Sequence, residues 1–146
     1  MSAPYASELV RGNHVTVEIP DPAAGSDLFY QFPANFFYDC QSLIFRLTTG
    51  VAVANRNVRI IIQDDGGRTL FLGSPVVVQV ASTIRTYCAS QLSAPNTIVY
   101  PTSLQLALPP RFVYRQGYVL GALVDAIAAA DQIDDAIISM LRHPTV

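Results

Sequence analysis

Apolar and polar residues alternate with a period of two along much of this chain, which is the pattern of half-buried β-strands. The clearest block spans residues 43–88, where residues 43–48 and 58–63 alternate in this way. Four turn-forming residues, DDGG at 64–67, then separate two apolar runs. Glycine and aspartate tolerate the positive backbone angles of a tight turn, so residues 60–72 are predicted to form a β-hairpin.

Further strands are predicted by the same alternation, at residues 13–19, 39–49, 76–88, 104–108 and 118–125, with a loop or short edge strand around 98–100. About eight strands separated by Pro, Gly and Asp turns imply a two-sheet antiparallel β-sandwich, and the jelly roll is the commonest eight-strand version. The expected organisation is an N-terminal arm at residues 1–12 followed by a single all-β jelly-roll domain at residues 13–146.

The tail at residues 126–141 is ambiguous. Its apolar residues Ile133, Ile137, Met140 and Leu141 lie at helical spacing, and the alanines before them favour a helix. Periodicity alone therefore predicts a helix here. If the segment is instead a strand, the same residues would form the last element of a sheet.

Length and hydropathy limit the classes of protein to which this chain can belong. A chain of 146 residues is expected to fold as one domain that buries roughly 70% of its unfolded surface. No apolar run reaches the ~20 residues of a membrane span, so no membrane association is expected. A secretory leader is not expected either, because no basic and then apolar segment follows Met1.

The charge pattern argues against nucleic acid as a partner. The net charge is −2, and no basic stripe could neutralise a row of phosphates. All nine basic residues are Arg. This bias reflects either a GC-rich coding sequence or a use of rigid guanidinium groups in interface ion pairs.

No catalytic or cofactor motif is recognisable, so the chain is expected not to be an enzyme and to hold no cofactor or metal. It contains no GxSxG, Walker A or GxGxxG sequence. The two histidines, His14 and His143, stand near opposite ends of the chain. Cys40 and Cys88 are expected to be small buried hydrophobic residues, or a disulfide if their strands are neighbours.

The aspartates have structural interpretations. Asp64 and Asp65 are adjacent in a turn, where they are expected to form the turn rather than an acid–base pair. A second group, Asp131, Asp134 and Asp135, lacks the spacing of a calcium loop.

Two aromatic segments are the candidate surfaces for contact with a partner. Residues 27–38 carry six aromatic side chains around Pro33, and residues 111–115 repeat the combination of Arg with aromatic rings. Either these rings fill the core, or they form the aromatic and Arg-rich centre of an interface. With two apolar residues of the arm, the interface candidates are Tyr5, Leu9, Phe29, Tyr30, Phe32, Phe36, Phe37, Tyr38, Arg111, Phe112, Tyr114 and Arg115.

Short motifs over residues 40–141 resemble those of small structural proteins of tailed bacteriophages. They are LTTG at 47–50, NRNV at 55–58, DDGG at 64–67, LPPRFVYRQGYVL at 108–120 and AADQ at 129–132. The resemblance implies a jelly-roll virion protein, and it implies that residues 133–141 are a strand.

The role implied by this resemblance is that of a capsid decoration, or cement, protein. Such a protein binds the outer surface of the major capsid protein lattice and stabilises the shell because it binds assembled shell better than free subunits. We expect a homo-oligomer, either a dimer or a trimer, in which the N-terminal arm contacts a neighbouring copy. It would be made in the host cytoplasm and located on the exterior of the virion. The alternatives are a head–tail or tail-fibre component, and a carbohydrate-binding jelly roll that uses tyrosines such as Tyr30 or Tyr38.

Overall fold

The computed structural model describes residues 13–73, 78–91 and 103–145, together with the backbone of residues 98–100. All regular elements in these residues are strands. In chain order they are β1 (Asn13–Ile19), β2 (Leu28–Gln31), β3 (Phe36–Thr48), β4 (Asn57–Gln63), β5 (Thr69–Leu72), β6 (Ile84–Ser90), β7 (Ile98–Tyr100), β8 (Ser103–Ala107), β9 (Val119–Asp125) and β10 (Gln132–Pro144). No helix long and apolar enough to cross a membrane occurs in this part of the chain.

The strands form two sheets, in the orders β1-β10-β3-β6-β8-β7 and β2-β9-β4-β5. All pairings are antiparallel except that of β8 with β6, which is parallel. The first four strands of the larger sheet and the four strands of the smaller sheet make the jelly roll, in which early strands pair with late ones: β1 with β10 and β2 with β9. The predicted all-β sandwich and its jelly-roll arrangement are confirmed, with β7 and β8 as an extension of the larger sheet.

The core lies between the two sheets and follows the alternation seen in the sequence. In β3, the side chains of Leu43, Phe45 and Leu47 are buried and those between them are more exposed. The ring of Phe45 stacks on Tyr87 of β6 with centroids 5.3 Å apart. Buried aliphatic residues of the smaller sheet, including Ile60 and Ile62 of β4, face them.

The tail is a strand, so the helix predicted from periodicity is wrong and the strand implied by the resemblance is right. The reason is a bulge in β10. The register against β3 shifts between Asp134 and Ile137, and Asp135 has a φ of 52°. The inward positions are therefore Ile133 and then Ala136, three residues apart, before alternation resumes. Of the four apolar residues at helical spacing, Ile133 and Met140 therefore face the core, whereas Ile137 and Leu141 lie on the other face of the strand.

The single strand predicted at residues 76–88 is also wrong for the residues described. Gln79 forms an isolated backbone bridge with Arg56, at the start of the smaller sheet. The chain then turns at Ser82, which has a φ of 55°, and enters the larger sheet as β6 at Ile84. The segment thus crosses from one sheet to the other, which one straight strand cannot do. Residues 76 and 77 lie outside the described residues.

The two cysteines do not form a disulfide, although their strands β3 and β6 are neighbours. Cys40 points into the core, whereas Cys88 pairs with the exposed Ile44 on the outer face of the sheet. The two side chains thus project from opposite faces. Burial raises the pKa of the Cys40 thiol to about 12, which makes it an unreactive core residue.

Candidate protein-binding surfaces

A fully buried ion pair lies at one end of the sandwich. Arg56 stands directly before β4 and Asp131 directly before β10, and both side chains are 0% exposed. The guanidinium Nε donates to Oδ2 of Asp131 and Nη2 donates to Oδ1, each at 2.9 Å. This bidentate geometry is the strongest form of an Arg–carboxylate contact.

The other polar atoms of the pair hold the surrounding loops. Nη1 of Arg56 donates to the carbonyl oxygens of Ala52 and Ala54, each at 2.9 Å. The carboxylate of Asp131 accepts from the backbone N–H groups of Gly50 and Ala128, each at 2.8 Å. Because a buried pair repays its desolvation only when its remaining hydrogen bonds are made, this network can stabilise one conformation of both loops.

The carboxyl group of Asp131 stays ionised in this environment. Burial by itself would raise its pKa, but the hydrogen bonds from Arg56, Ala128 and Gly50 outweigh burial and hold the pKa below its usual range. The carboxylate of Asp131 is therefore charged at neutral pH.

A third loop is tied to the same end by neutral hydrogen bonds. The side-chain amide of Gln79 donates to the carbonyl of Leu47 at 2.8 Å and accepts from the hydroxyl of Tyr87 at 2.9 Å. The hydroxyl of Thr49 donates to the carbonyl of Val80 at 2.6 Å. We call the three loops at residues 49–56, 78–83 and 126–131 the braced end.

The braced end presents apolar side chains to solvent. Val51 is 85% exposed, Val53 is 97% exposed and Val80 is 53% exposed. Apart from the buried pair, these three loops contain no charged residue. We call Val51, Val53 and Val80 the valine patch. These three exposed valines lie on loops that buried hydrogen bonds already hold in place, so their positions are preorganised for a partner.

The opposite end of the sandwich joins the two aromatic segments that the sequence singled out. The backbones of Tyr38 and Tyr114 exchange two N–H···O bonds of 2.9 Å. The ring of Phe32 lies between them, 5.1 Å from the ring of Tyr38 and 4.7 Å from that of Tyr114. We call this region, residues 32–38, 64–67 and 111–118, the aromatic end. The two ends are separated by the length of β3, roughly 40 Å for a strand of this length.

The interface candidates divide by exposure. Phe32, Tyr38 and Tyr114 are buried and fill the core. These three candidates are therefore core residues and do not form an exposed contact surface. Partly buried rings that pack against the core are Tyr30, Phe36 and Phe112. Exposed candidates are Phe29, Phe37, Arg111 and Arg115. Tyr5 and Leu9 lie outside the described residues.

Phe29 belongs to neither end. It lies on the outer face of the smaller sheet, 49% exposed, in a row with Gly121 of β9, Ile61 of β4 and Leu72 of β5. A Cβ at position 121 would lie 2.6 Å from the Phe29 ring. The absence of a side chain at Gly121 thus lets the ring lie flat against the sheet.

No sequence pattern predicted the residues of the braced end. Arg56 and Asp131 are 75 positions apart, and no local pattern connects them. Both do lie in the motifs that carry the resemblance, NRNV and AADQ. One motif contains a basic residue and the other an acidic residue, and this combination is the signal that could have suggested a buried ion pair.

Most of the other arginines with an ion pair also pair across strands. Arg46 of β3 contacts Asp134 of β10 at 2.7 Å, and this contact lowers the pKa of Asp134. Arg59 of β4 contacts Asp125 of β9 at 2.9 Å. The guanidinium groups of Arg46 and Arg59 thus serve pairs within the chain. No group of three metal-ligating side chains occurs among the residues with described positions.

Comparison with known proteins adds little. No family model matches the chain, and no curated protein does. Among solved structures, the chain is similar to a part of one described as "Structure of PfGH50B", with 14% identity and a TM-score of 0.40. The match covers 95% of this chain and 23% of that one. A similarity of this size carries no argument about function.

Proposed function

We propose that this chain is a non-enzymatic structural protein of a virion, a decoration protein that binds the outer surface of the major capsid protein lattice through its braced end. The observation that carries the proposal is the valine patch on loops held by the buried Arg56–Asp131 pair. The phage-like motifs supply the identity of the partner. Position on the capsid exterior and assembly as a homo-oligomer, a dimer or a trimer, belong to the same proposal.

Energetics support binding at the valine patch. Burying one exposed valine side chain is worth roughly 1.5–3 kcal/mol, and the loops that carry Val51 and Val53 are already ordered by hydrogen bonds to Arg56. Binding therefore loses little conformational entropy in these loops. A few such contacts per copy are weak, but an oligomer binding a repeating lattice multiplies them through effective concentration.

The chemistry of the patch also specifies the kind of contact. Its loops expose no charged side chain, so attraction to the shell rests on apolar burial rather than on ion pairs. Raising the ionic strength to about 1 M, where the Debye length is about 3 Å, should leave such binding intact. A charge-mediated complex would dissociate under the same conditions.

The test is to locate the chain in purified particles. Quantitative gel analysis should find it in a fixed stoichiometry with the major capsid protein, and electron microscopy should show the end that bears Val51 and Val53 against the shell. Particles without the chain should break at a lower temperature. Absence of the chain from purified particles would overturn the proposal. A position at the neck or tail would replace it with a head–tail or tail-fibre role.

A further inference from the structure

The aromatic end contains an open pocket of about 350 Å³, a volume within the range of small-ligand sites. Its wall combines rings with polar groups from three separate segments: Asn35, Phe37, Asp65, Arg115, Gln116 and Tyr118. It lies at the far end of the sandwich from the valine patch. A ligand here would thus remain accessible while the braced end is covered.

The walls of the pocket are held in place by backbone contacts. The N–H of Gly117 donates to the carbonyl of Phe32 at 3.0 Å. A Cβ at position 117 would lie 2.8 Å from the Cβ of Asp65, and Gly117 has a φ of 79°. Glycine is therefore required for the hairpin of β4 and β5 to approach this closely. On the other side, the carbonyl of Asn35 accepts from the N–H of Thr145 at 3.2 Å.

An aromatic platform is exposed inside this frame. The Phe37 ring is 39% exposed, and the guanidinium carbon of Arg115 lies over one face of the ring, 5.9 Å from its centroid. The face of an aromatic ring carries negative charge density, so it attracts the polarised C–H groups of a saturated ring. The part of the Phe37 ring that Arg115 leaves exposed is thus available for apolar contact with one side of a bound ligand.

The polar groups around this platform suit hydroxyl groups. Asn35 and Gln116 can each donate and accept, Asp65 accepts, and Arg115 donates in a fixed plane. One carboxylate and one guanidinium balance each other, so the pocket does not select a strongly charged ligand. Hydroxyl groups, which both donate and accept, can satisfy all four side chains.

We propose that this pocket binds a neutral carbohydrate, with a sugar ring stacked on Phe37 and its hydroxyl groups hydrogen-bonded to Asp65 and Arg115. This function is separate from attachment to a shell and does not rest on it. Tyr30 and Tyr38, the tyrosines that the sequence suggested for a carbohydrate site, do not line this pocket. Tyr38 is buried, and Tyr30 packs edge-on against Phe32 at 5.1 Å.

The experiment begins with the purified chain on an array of neutral and acidic oligosaccharides. The neutral oligosaccharide with the strongest signal is then titrated into isotope-labelled protein and followed by NMR. Chemical-shift changes should concentrate on residues 35–37, 64–66 and 115–118. Phe37→Ala and Asp65→Ala should each weaken binding at least tenfold.

The matched control is Phe29→Ala, which removes another exposed ring, on the outer face of the smaller sheet, and should leave binding unchanged. Thermal melting of all three variants checks that each is folded. Absence of any binding at millimolar ligand, binding of acidic glycans alone, or affinity unchanged in both Phe37→Ala and Asp65→Ala would each overturn the proposal.

Discussion

The two ends of the sandwich are built in opposite ways. The braced end buries its charges, Arg56 and Asp131, and exposes its valines. The aromatic end buries rings such as Phe32 and exposes its charges, including Arg115. The difference teaches that directional hydrogen bonds can fix the shape of a loop whose apolar residues are then free for a partner. Ring packing, by contrast, fixes an end by using its apolar residues internally.

The largest expected effect tests the brace. Asp131→Asn should lower the free energy of unfolding by about 4–5 kcal/mol, because it leaves the buried guanidinium of Arg56 without a counter-charge. Chemical denaturation measures the loss. The double variant Arg56→Met/Asp131→Leu should recover part of it, since it leaves no buried charge unpaired. A loss below about 1 kcal/mol for the single variant would contradict the account of the braced end.

The corresponding change at the aromatic end is Phe32→Ala, which should lower the free energy of unfolding by about 3–4 kcal/mol because it leaves a cavity between Tyr38 and Tyr114. Hydrogen exchange followed by NMR should show the loss of protection at this end and not around Gly50 and Ala128. Equal loosening of both ends would show that they are not independently organised.

The pH dependence of stability tests the ionised carboxylate of the braced end. The pKa of Asp131 is lowered in the folded state, so its contribution is complete above the unfolded value of about 3.9 and is lost as the pH falls through the folded value. The denaturation midpoint should therefore fall as the pH is lowered below about 4. Asp131→Asn should flatten this dependence, and Phe32→Ala should keep its slope. An unchanged slope in Asp131→Asn would contradict this assignment.

The smallest effect concerns a polar atom at the aromatic end. The hydroxyl of Tyr114 is buried and has no hydrogen-bond partner among the residues described, and burial raises its pKa. Tyr114→Phe removes this group and keeps the ring, so it should be neutral or stabilise the fold by up to about 1 kcal/mol. Thermal melting decides this, and a clear destabilisation would mean that the hydroxyl has a role in the fold.

The sequence predicted the fold far better than the surfaces. Alternation identifies a half-buried strand wherever its register is regular, as in β1 and the β4–β5 hairpin. It failed in β10, where the bulge at Asp135 shifts the phase, and in the segment at Gln79, which crosses between sheets. These features depend on partners elsewhere in the chain. A local pattern cannot reveal them.

Surfaces were harder still, because exposure depends on the complete packing. Val51 and Val53 stand out by no sequence motif, and only the contacts of Arg56 show that the loop carrying them is fixed in place. Conversely, the sequence left the aromatic residues open as either core or interface, and three of them fill the core. Composition alone distinguishes neither case.

Binding to the shell by valine variants tests the central claim most directly. Val51→Ser/Val53→Ser should melt at the same temperature as the unchanged chain, because both side chains lie almost wholly in solvent. Its affinity for particles stripped of the protein should fall at least tenfold. Val113→Ser, which alters a valine 53% exposed at the aromatic end, should bind as before. Full binding by Val51→Ser/Val53→Ser would contradict the claim that the braced end attaches this protein to its partner.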